Sequence, residues 1–331
     1  MYPQKLEELP PPPGVMGSLR SGFDVVSRHV GLILVPAALD ILLWLGPRLS
    51  VDVLMAQARR SFPTLENLQQ FIVQSGAGEP VEHVNLFNLL SRLPLFPVGV
   101  SSLLAQKVPL ETPFGTQQVI EVQSELAMLG LMFGLILVGW VIGGLYFRWV
   151  SGIVLGEGQH EAEISLMRAV VQTLILSIIW MISFMIIVIP VTVVLWVLLV
   201  INPVLASGAG LMILFLSFWV IVPLYFTPHG IFVRRQNAFY SIFTSLRMAR
   251  FTLPTSGLFV VCVLLLSTGL NYLWSVPPDD SWMKLVGIGG HAFIATTLLA
   301  ASFVYYRDMN AWLQTVFEQL QQKQNMPTQQ V

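Results

Sequence analysis

The sequence predicts an all-α integral membrane protein with six transmembrane helices, arranged as three hairpins that are each preceded by an interfacial amphipathic helix. Three observations support this class. The chain is 55% hydrophobic and only 11% charged, whereas a soluble domain carries roughly 25% charged residues. Residues 169–233 contain no Asp, Glu, Lys or Arg. Amphipathic stretches that end at Arg28, Arg168 and Arg250 precede apolar segments, which indicates an internal repeat.

The composition also bears on partners and cofactors. A formal net charge of −1 argues against nucleic acid, which is bound through basic patches. The single cysteine, Cys262, leaves no second thiol in this sequence for an internal disulfide or a thiolate metal site. We therefore expect no cofactor, and we expect the partners to be membrane lipids and other membrane proteins.

Residues 1–28 are predicted to be a cytoplasmic tail followed by an amphipathic helix. The Pro-rich beginning lacks an apolar core, so the first hydrophobic run is expected to act as the targeting signal. Residues 15–28 place an apolar stripe at helical spacing, formed by Val15, Leu19, Phe23 and Val26. Such a helix is expected to lie along the lipid headgroups.

Residues 29–148 are predicted to form the first hairpin. Its two spans cover about residues 29–46 and 126–147, and an extracytoplasmic helical insertion occupies about residues 48–118. The predicted helices of the insertion are residues 51–61, 65–74 and 84–91. Residues 93–100 are apolar but broken by prolines, so we expect them to rest on the membrane surface or on the helix bundle.

Residues 149–233 are predicted to form the second hairpin, at the centre of the protein. The charge-free run exceeds one span, since a bilayer core takes about 20 residues per helix. Asn202 and Pro203 mark the turn between its two spans. The first span would be about 50 Å long as a straight helix, so it is expected to tilt or to bend at Pro190.

Residues 234–306 are predicted to form the third hairpin, and residues 307–331 a cytoplasmic helical tail. Its lead-in is basic and amphipathic, and its spans cover about residues 256–275 and 285–306. Interfacial positions are predicted for the amphipathic rings of Tyr146, Trp149, Trp274, Trp282, Tyr305 and Tyr306.

The distribution of basic residues predicts the orientation, because cytoplasmic loops are enriched in Lys and Arg. With both termini in the cytoplasm, eleven of the 17 basic residues lie inside: Lys5, Arg20, Arg28, Arg148, Arg168, Arg234, Arg235, Arg247, Arg250, Arg307 and Lys323. The reversed topology would place four arginines in one outer loop. The predicted location is the inner membrane of a bacterium.

Three stretches carry a family resemblance. Residues 228–233 (PHGIFV) and 238–250 (AFYSIFTSLRMAR), together with the ending VYYRDM at 304–309, resemble bacterial polytopic proteins grouped around the membrane domain of glycerophosphoryl diester phosphodiesterase. The resemblance implies several spans with amphipathic lead-ins and, for most such proteins, no assigned activity. The insertion at 48–118 departs from that pattern. The catalytic barrel of the phosphodiesterase is absent, so the resemblance implies no catalytic residue.

Three polar residues within predicted spans are candidates for an intramembrane site: Asp40, Asn271 and His291. A carboxylate in a span is costly and often functional. Asp40 is either a structural partner of Arg48, water or a backbone group, or a proton or cation site. His291 and Asn271 are interpreted as hydrogen-bonding links between helices, with a role in transport as the alternative.

Two further patterns are weaker candidates. Gly130-xxx-Gly134 and Gly139-xxx-Gly143 indicate close packing within the chain or, alternatively, a dimer face. Glu157, His160, Glu161 and Glu163 lie in one Gly-rich loop but lack the spacing of a metallohydrolase helix. We predict no metal site, no cofactor site and no catalytic residue.

Three function classes follow, in this order. The first is a non-enzymatic membrane component, such as a scaffold, assembly or accessory subunit, which fits the lack of chemical motifs. The second is a permease for a lipid or small molecule. The third is a lipid-modifying membrane enzyme. Convergence of Asp40, Asn271 and His291 on one water-filled cavity would favour the permease, and scattered, bundle-facing positions would favour the scaffold.

Overall fold

The structure, a computed structural model, describes residues 11–61, 84–92, 96–105, 109–156 and 164–325. In this part of the chain the fold is helical with a few short strands, as the predicted class requires. By length and composition, five of the described helices are able to cross a membrane, and a bent pair, Val15–Arg28 with Val30–Leu45, would make a sixth. The prediction of a multi-span helical membrane protein is confirmed at this level.

The described residues form ten α-helices. The first four are α1 Val15–Arg28, α2 Leu34–Leu45, α3 Asp52–Ser61 and α4 Leu86–Arg92, and a 3-10 turn at Val30–Ile33 precedes α2. The longer ones that follow are α5 Glu125–Leu155, α6 Leu166–Ile201, α7 Pro203–Tyr225, α8 Thr227–Arg234, α9 Ala238–Ser275 and α10 Lys284–Asn325.

Helix α1 is amphipathic, as predicted, but one side of it is packed on protein. It meets the following segment at a bend of 96° and runs along α10. A Cβ atom on Gly22 would lie 2.6 Å from the backbone nitrogen of Ala301, so the two helices touch through their backbones. Met16 and Phe23 remain exposed on the other side. The apolar surface of α1 is therefore divided between α10 and the surroundings.

The first predicted span is short. The 3-10 turn and α2 together cover residues 30–45, about 24 Å at 1.5 Å per residue. This is less than the roughly 30 Å of a bilayer core.

The insertion contains strands that the sequence analysis did not predict. Strand β1, Arg48–Ser50, pairs in parallel with β4, Val119–Glu121. Strands β2, Glu111–Thr112, and β3, Gly115–Thr116, form a small hairpin. Strands of two or three residues are too short to show the alternation that marks a strand in sequence. The predicted helices at 51–61 and 84–91 appear as α3 and α4, and the predicted helix at 65–74 lies outside the described residues.

The lead-ins of the second and third hairpins differ from the prediction. Helix α9 is continuous from Ala238 to Ser275, so its basic first third is not a separate interfacial helix. No turn residues separate the two parts, and Pro254 is accommodated inside the helix. Helix α6 begins at Leu166 and continues through Pro190 to Ile201. An amphipathic lead-in that is a separate helix is present only for α1 among the described residues.

The centre of the fold is α10, which corrects the expectation that the charge-free hairpin holds this position. Helix α10 packs against α1, α2, α5, α8 and α9. Its most buried stretch includes Ala300, Ala301, Phe303 and Tyr305, each with no exposed surface. Helices α6 and α7 are mostly exposed along their apolar windows. The most hydrophobic stretch therefore lies at the periphery, where lipid would cover it.

Three of the six rings predicted at the interfaces are instead buried in protein. Tyr146 donates to, or accepts from, the hydroxyl of Thr296 at 2.7 Å. Tyr305 and Tyr306 are almost completely buried. Trp149 and Trp282 are exposed, as an interfacial position requires. Hydroxyl groups that find partners within the bundle explain why these tyrosines pack inside.

Candidate functional site

Residues 96–105 of the insertion lie against the transmembrane helices. The ring of Phe96 covers Gly139 of α5, where an added Cβ would lie 2.6 Å from the ring. The backbone of Val98 covers Gly143 in the same way, and Val98 is fully buried. The second glycine pair of α5 therefore receives a segment of the same chain. Gly130 and Gly134 face open space, with no described atom within 4 Å of an added Cβ.

Asp40 fixes the end of this segment. Its buried carboxylate accepts hydrogen bonds from the Ser102 hydroxyl at 2.5 Å, from the Leu103 N–H at 3.1 Å and from the Leu104 N–H at 3.2 Å. Backbone groups, one of the partners expected for Asp40, therefore bind it together with a hydroxyl. Arg48 lies in β1, and its backbone N–H donates to the carbonyl of Gln118 at 2.8 Å.

His291 joins the same segment to two helices. Its Nε2 hydrogen-bonds the hydroxyl of Ser101 at 3.3 Å, and its Nδ1 hydrogen-bonds Oδ1 of Asn271 at 2.8 Å. The second bond crosses from α10 to α9. The carboxylate of Asp40 also acts electrostatically on the imidazole. The three residues predicted from the sequence therefore meet in one polar cluster, which we define as Asp40, Ser101, Ser102, Asn271 and His291.

Two members of the polar cluster were missed by the sequence analysis. Ser101 and Ser102 lie in a segment without periodicity, and a serine in such a segment carries no signal of its own. The one available indication was the apolar run at 93–100 that leads into them. An apolar segment has to be covered by something, and residues 96–99 of this one lie against α5.

The polar cluster lies near one end of the helices. His291 is about 10 Å along α10 from Lys284, at 1.5 Å per residue. A cap closes this end: the Trp44 indole N–H donates to the Asp279 carbonyl at 2.7 Å, and Lys284 pairs with the Asp279 carboxylate at 2.6 Å. Trp282 packs edge-on against Trp44, with centroids 5.9 Å apart.

A cavity of about 700 Å³ lies beside the polar cluster, and we call it the outer cavity. Its walls are apolar and come from α2, α4, α5 and the 96–105 segment. They include Leu34, Ala38, Leu42, Phe87, Leu90, Phe96, Leu135, Val138 and Ile142. The hydroxyl residues Ser91 and Ser102 also border it. Leu34 and Leu42 on α2, and Val138 and Ile142 on α5, are exposed as well, so the outer cavity is open between these two helices.

A smaller cavity of about 170 Å³, the inner cavity, lies on the other side of the same segment. It is bordered by Ser101, Tyr146, Tyr225 and Ser267 among apolar residues. Gly99 borders both cavities, Ser102 borders the outer one and Ser101 the inner one. A wall only a few residues thick therefore separates the two spaces.

A second buried histidine, His229, was not singled out from the sequence although it lies within the PHGIFV motif. Its Nε2 hydrogen-bonds the Ser302 hydroxyl at 2.7 Å. Its ring stacks on Tyr225 at 5.7 Å and lies 4.6 Å from the ring of Phe303. These contacts join α8 to α10 through aromatic packing, which gives the motif a structural role.

The remaining candidates contribute no described site. The loop that contains Glu157, His160, Glu161 and Glu163 lies outside the described residues. Within the described ranges no group of three or more His, Cys, Asp or Glu side chains is placed to hold a metal ion.

Searches of protein-family models, of curated proteins and of solved structures found no match to this chain.

Proposed function

We propose that this protein is a non-enzymatic membrane component that binds a lipid inside the bilayer and takes an acyl chain into the outer cavity. One observation carries this proposal: the outer cavity combines a volume of about 700 Å³ with walls that are almost wholly apolar. Pockets for small molecules usually measure about 300–1,000 Å³ and present a few polar groups among apolar walls. Ser91 and Ser102 supply such groups.

The route into the outer cavity supports a lipid over a water-soluble ligand. The gap between α2 and α5 is bordered by exposed Leu34, Leu42, Val138 and Ile142. Apolar side chains that face both the cavity and the exterior of a membrane protein would meet acyl chains. A lipid chain would therefore enter sideways from the bilayer without crossing a polar surface.

The proposal includes the detailed topology predicted from the sequence. Six spans in three hairpins, with both termini in the cytoplasm of a bacterium, would place the outer cavity in the outer half of the inner membrane. The Lys and Arg distribution supports this orientation. Kinship with the membrane-domain group of glycerophosphoryl diester phosphodiesterases remains part of the proposal and is supported by the motif at 228–233.

A permease for the same lipid is a second candidate, and the inner cavity favours it. The inner cavity lies across the wall at Gly99–Ser102 from the outer one. Movement of that wall would join the two spaces. Asp40, Asn271 and His291 bind one another or residues 101–104 of this wall, although none of the three lines either cavity.

The proposal is tested with a diacyl phospholipid that carries a diazirine in one acyl chain. The purified protein is illuminated in bilayers that contain this probe, and the labelled peptides are mapped by mass spectrometry. We expect adducts on residues of the outer cavity, such as Ala38 and Leu135, above the level on lipid-facing α7. In Ala38→Trp the added ring would occupy part of the cavity and reduce these adducts several-fold.

The matched control is Gly130→Trp, which adds the same ring on α5 where the space is open. It should leave labelling of the outer cavity unchanged. Equal labelling of the cavity and of the exposed face of α7, with no effect of Ala38→Trp, would contradict lipid binding in the outer cavity.

A further inference from the structure

Two neighbouring serines connect the two cavities to two different ionisable groups. Ser102 borders the outer cavity and donates to the carboxylate of Asp40 at 2.5 Å. Ser101 borders the inner cavity and hydrogen-bonds His291 at 3.3 Å. Any shift of this short segment, such as one caused by an occupant of the outer cavity, would change both contacts together.

The surroundings of His291 satisfy its imidazole in either protonation state. A hydroxyl both donates and accepts, so Ser101 is able to donate to a neutral Nε2 or to accept from a protonated one. On the other side, Oδ1 of Asn271 accepts from Nδ1–H in both states at 2.8 Å. Gaining a proton would therefore break neither hydrogen bond. Burial of the ring disfavours the imidazolium, and the carboxylate of Asp40 supplies the attraction that opposes this effect.

Other ionisable groups on the elements around α10 are exposed or bind other residues. Arg20, Asp24 and Arg28 of α1 are exposed. Toward the end of α10 nearest the polar cluster, Lys284 is paired with Asp279. From α5, Tyr146 is bonded to Thr296, and from α8, His229 is bonded to Ser302. Within the described residues, Asp40 is therefore the charged group that acts on His291, and the elements around it otherwise present a hydroxyl and an amide.

We infer that Asp40 and His291 form a proton-binding pair whose protonation is linked to lipid binding in the outer cavity, an inference that rests on the proposed function. A protonated His291 would attract Asp40 and hold residues 101–104 in the arrangement that completes the cavity wall. The lipid would then bind more tightly when the pair carries the additional proton. Linkage requires the reverse as well, so lipid binding would take up a proton.

The test measures the affinity of purified protein in detergent for a BODIPY-labelled lysophosphatidylcholine by fluorescence anisotropy. Between about pH 8 and about pH 5, where histidine changes charge, we expect the Kd to fall by about fivefold or more, the lower end of usual coupling. In His291→Gln, whose amide offers a donor and an acceptor but does not titrate, the Kd should be independent of pH. A pH indicator in weak buffer should report proton uptake on binding to the wild type.

His29→Gln is the control, because it removes an equivalent group at the end of α1 and should leave the pH dependence intact. A wild-type Kd that does not vary with pH, or pH dependence that persists in His291→Gln, would overturn the proton linkage while leaving lipid binding in place. Failure of the probe to bind at every pH would overturn the proposed function itself. The wild-type titration and the proton count decide the matter even if His291→Gln does not fold.

Discussion

Asp40 has a clear physical reason to be an acid. It is fully buried, and the three groups that point at it are all donors: one hydroxyl and two backbone N–H groups. A carboxylate is an acceptor at both oxygens. The residue therefore satisfies a turn of irregular backbone at residues 102–104, which otherwise would be buried with unpaired amides.

Asp40→Asn is expected to destabilise the protein. The amide retains one acceptor oxygen but turns an NH₂ group toward donors, so at least one buried N–H loses its partner. Hydrogen bonds to charged groups contribute about 1.5–3 kcal/mol, and we expect a loss of that size. Thermal unfolding in detergent, followed by intrinsic fluorescence, would measure it. Asp24→Asn, at an exposed position of α1, should leave the unfolding temperature unchanged, and an equal effect of both substitutions would contradict this account of Asp40.

The sequence identifies the polar residues that are costly to place in a membrane span, but it does not identify their partners. Asp40, Asn271 and His291 stand out because each lies in a strongly apolar segment. Ser101 and Ser102 do not stand out, since contacts between residues as far apart as 40 and 102 depend on tertiary packing. For the same reason Arg48, which is near Asp40 in sequence, was a plausible partner that the fold uses differently.

On α5, two glycine pairs with the same spacing have different neighbours. Gly139 and Gly143 accept the Phe96 ring and the Val98 backbone, whereas at Gly130 and Gly134 no described atom lies within 4 Å of an added Cβ. Small residues in membrane helices permit close approach of whatever chain lies opposite. Here that chain is an irregular segment and not a second helix, which the spacing alone does not distinguish.

Gly143→Val is expected to displace residues 96–100 from α5. Its Cβ would overlap the carbonyl of Val98, and overpacking of this kind costs about 1–3 kcal/mol. Limited proteolysis should then cleave the insertion faster, with a lower unfolding temperature. The same substitution at Gly134, nine residues earlier on the same helix, should have neither effect. Identical behaviour of the two variants would show that the contact with Val98 does not hold the insertion in place.

The helices and strands likewise divide into those that the sequence predicts and those that it does not. Long apolar helices and the amphipathic α1 are predictable from periodicity, because each repeats its pattern several times. The strands of the insertion are too short to do so. The continuity of α9 through Arg250 was also missed, because a change from basic to apolar composition alters the surroundings of a helix without interrupting its hydrogen bonds.

Across the whole molecule, the most hydrophobic helices are not the ones that form the centre of the fold. Residues 169–233 are the most apolar stretch, and their helices are the most exposed, because lipid is a suitable solvent for them. Helix α10 is less apolar but carries Ala300, Ala301 and Ser302, which permit neighbouring helices to approach closely. Hydropathy therefore predicts which segments enter the membrane and does not predict which of them forms the core.

Both proposals depend on α10 crossing the membrane, which cysteine labelling at its two ends would test. Phe114 is exposed at the tip of the β2–β3 hairpin, and Gln314 is exposed on α10. Lys284, at the capped end, is about 45 Å along α10 from Gln314, which exceeds a bilayer core of about 30 Å. With Cys262 replaced by Ala, an impermeant maleimide should label Phe114→Cys in intact cells and Gln314→Cys only after permeabilisation. Labelling of both positions from the same side of intact cells would contradict the passage of α10 across the membrane, and with it a lipid site in the outer half of the bilayer.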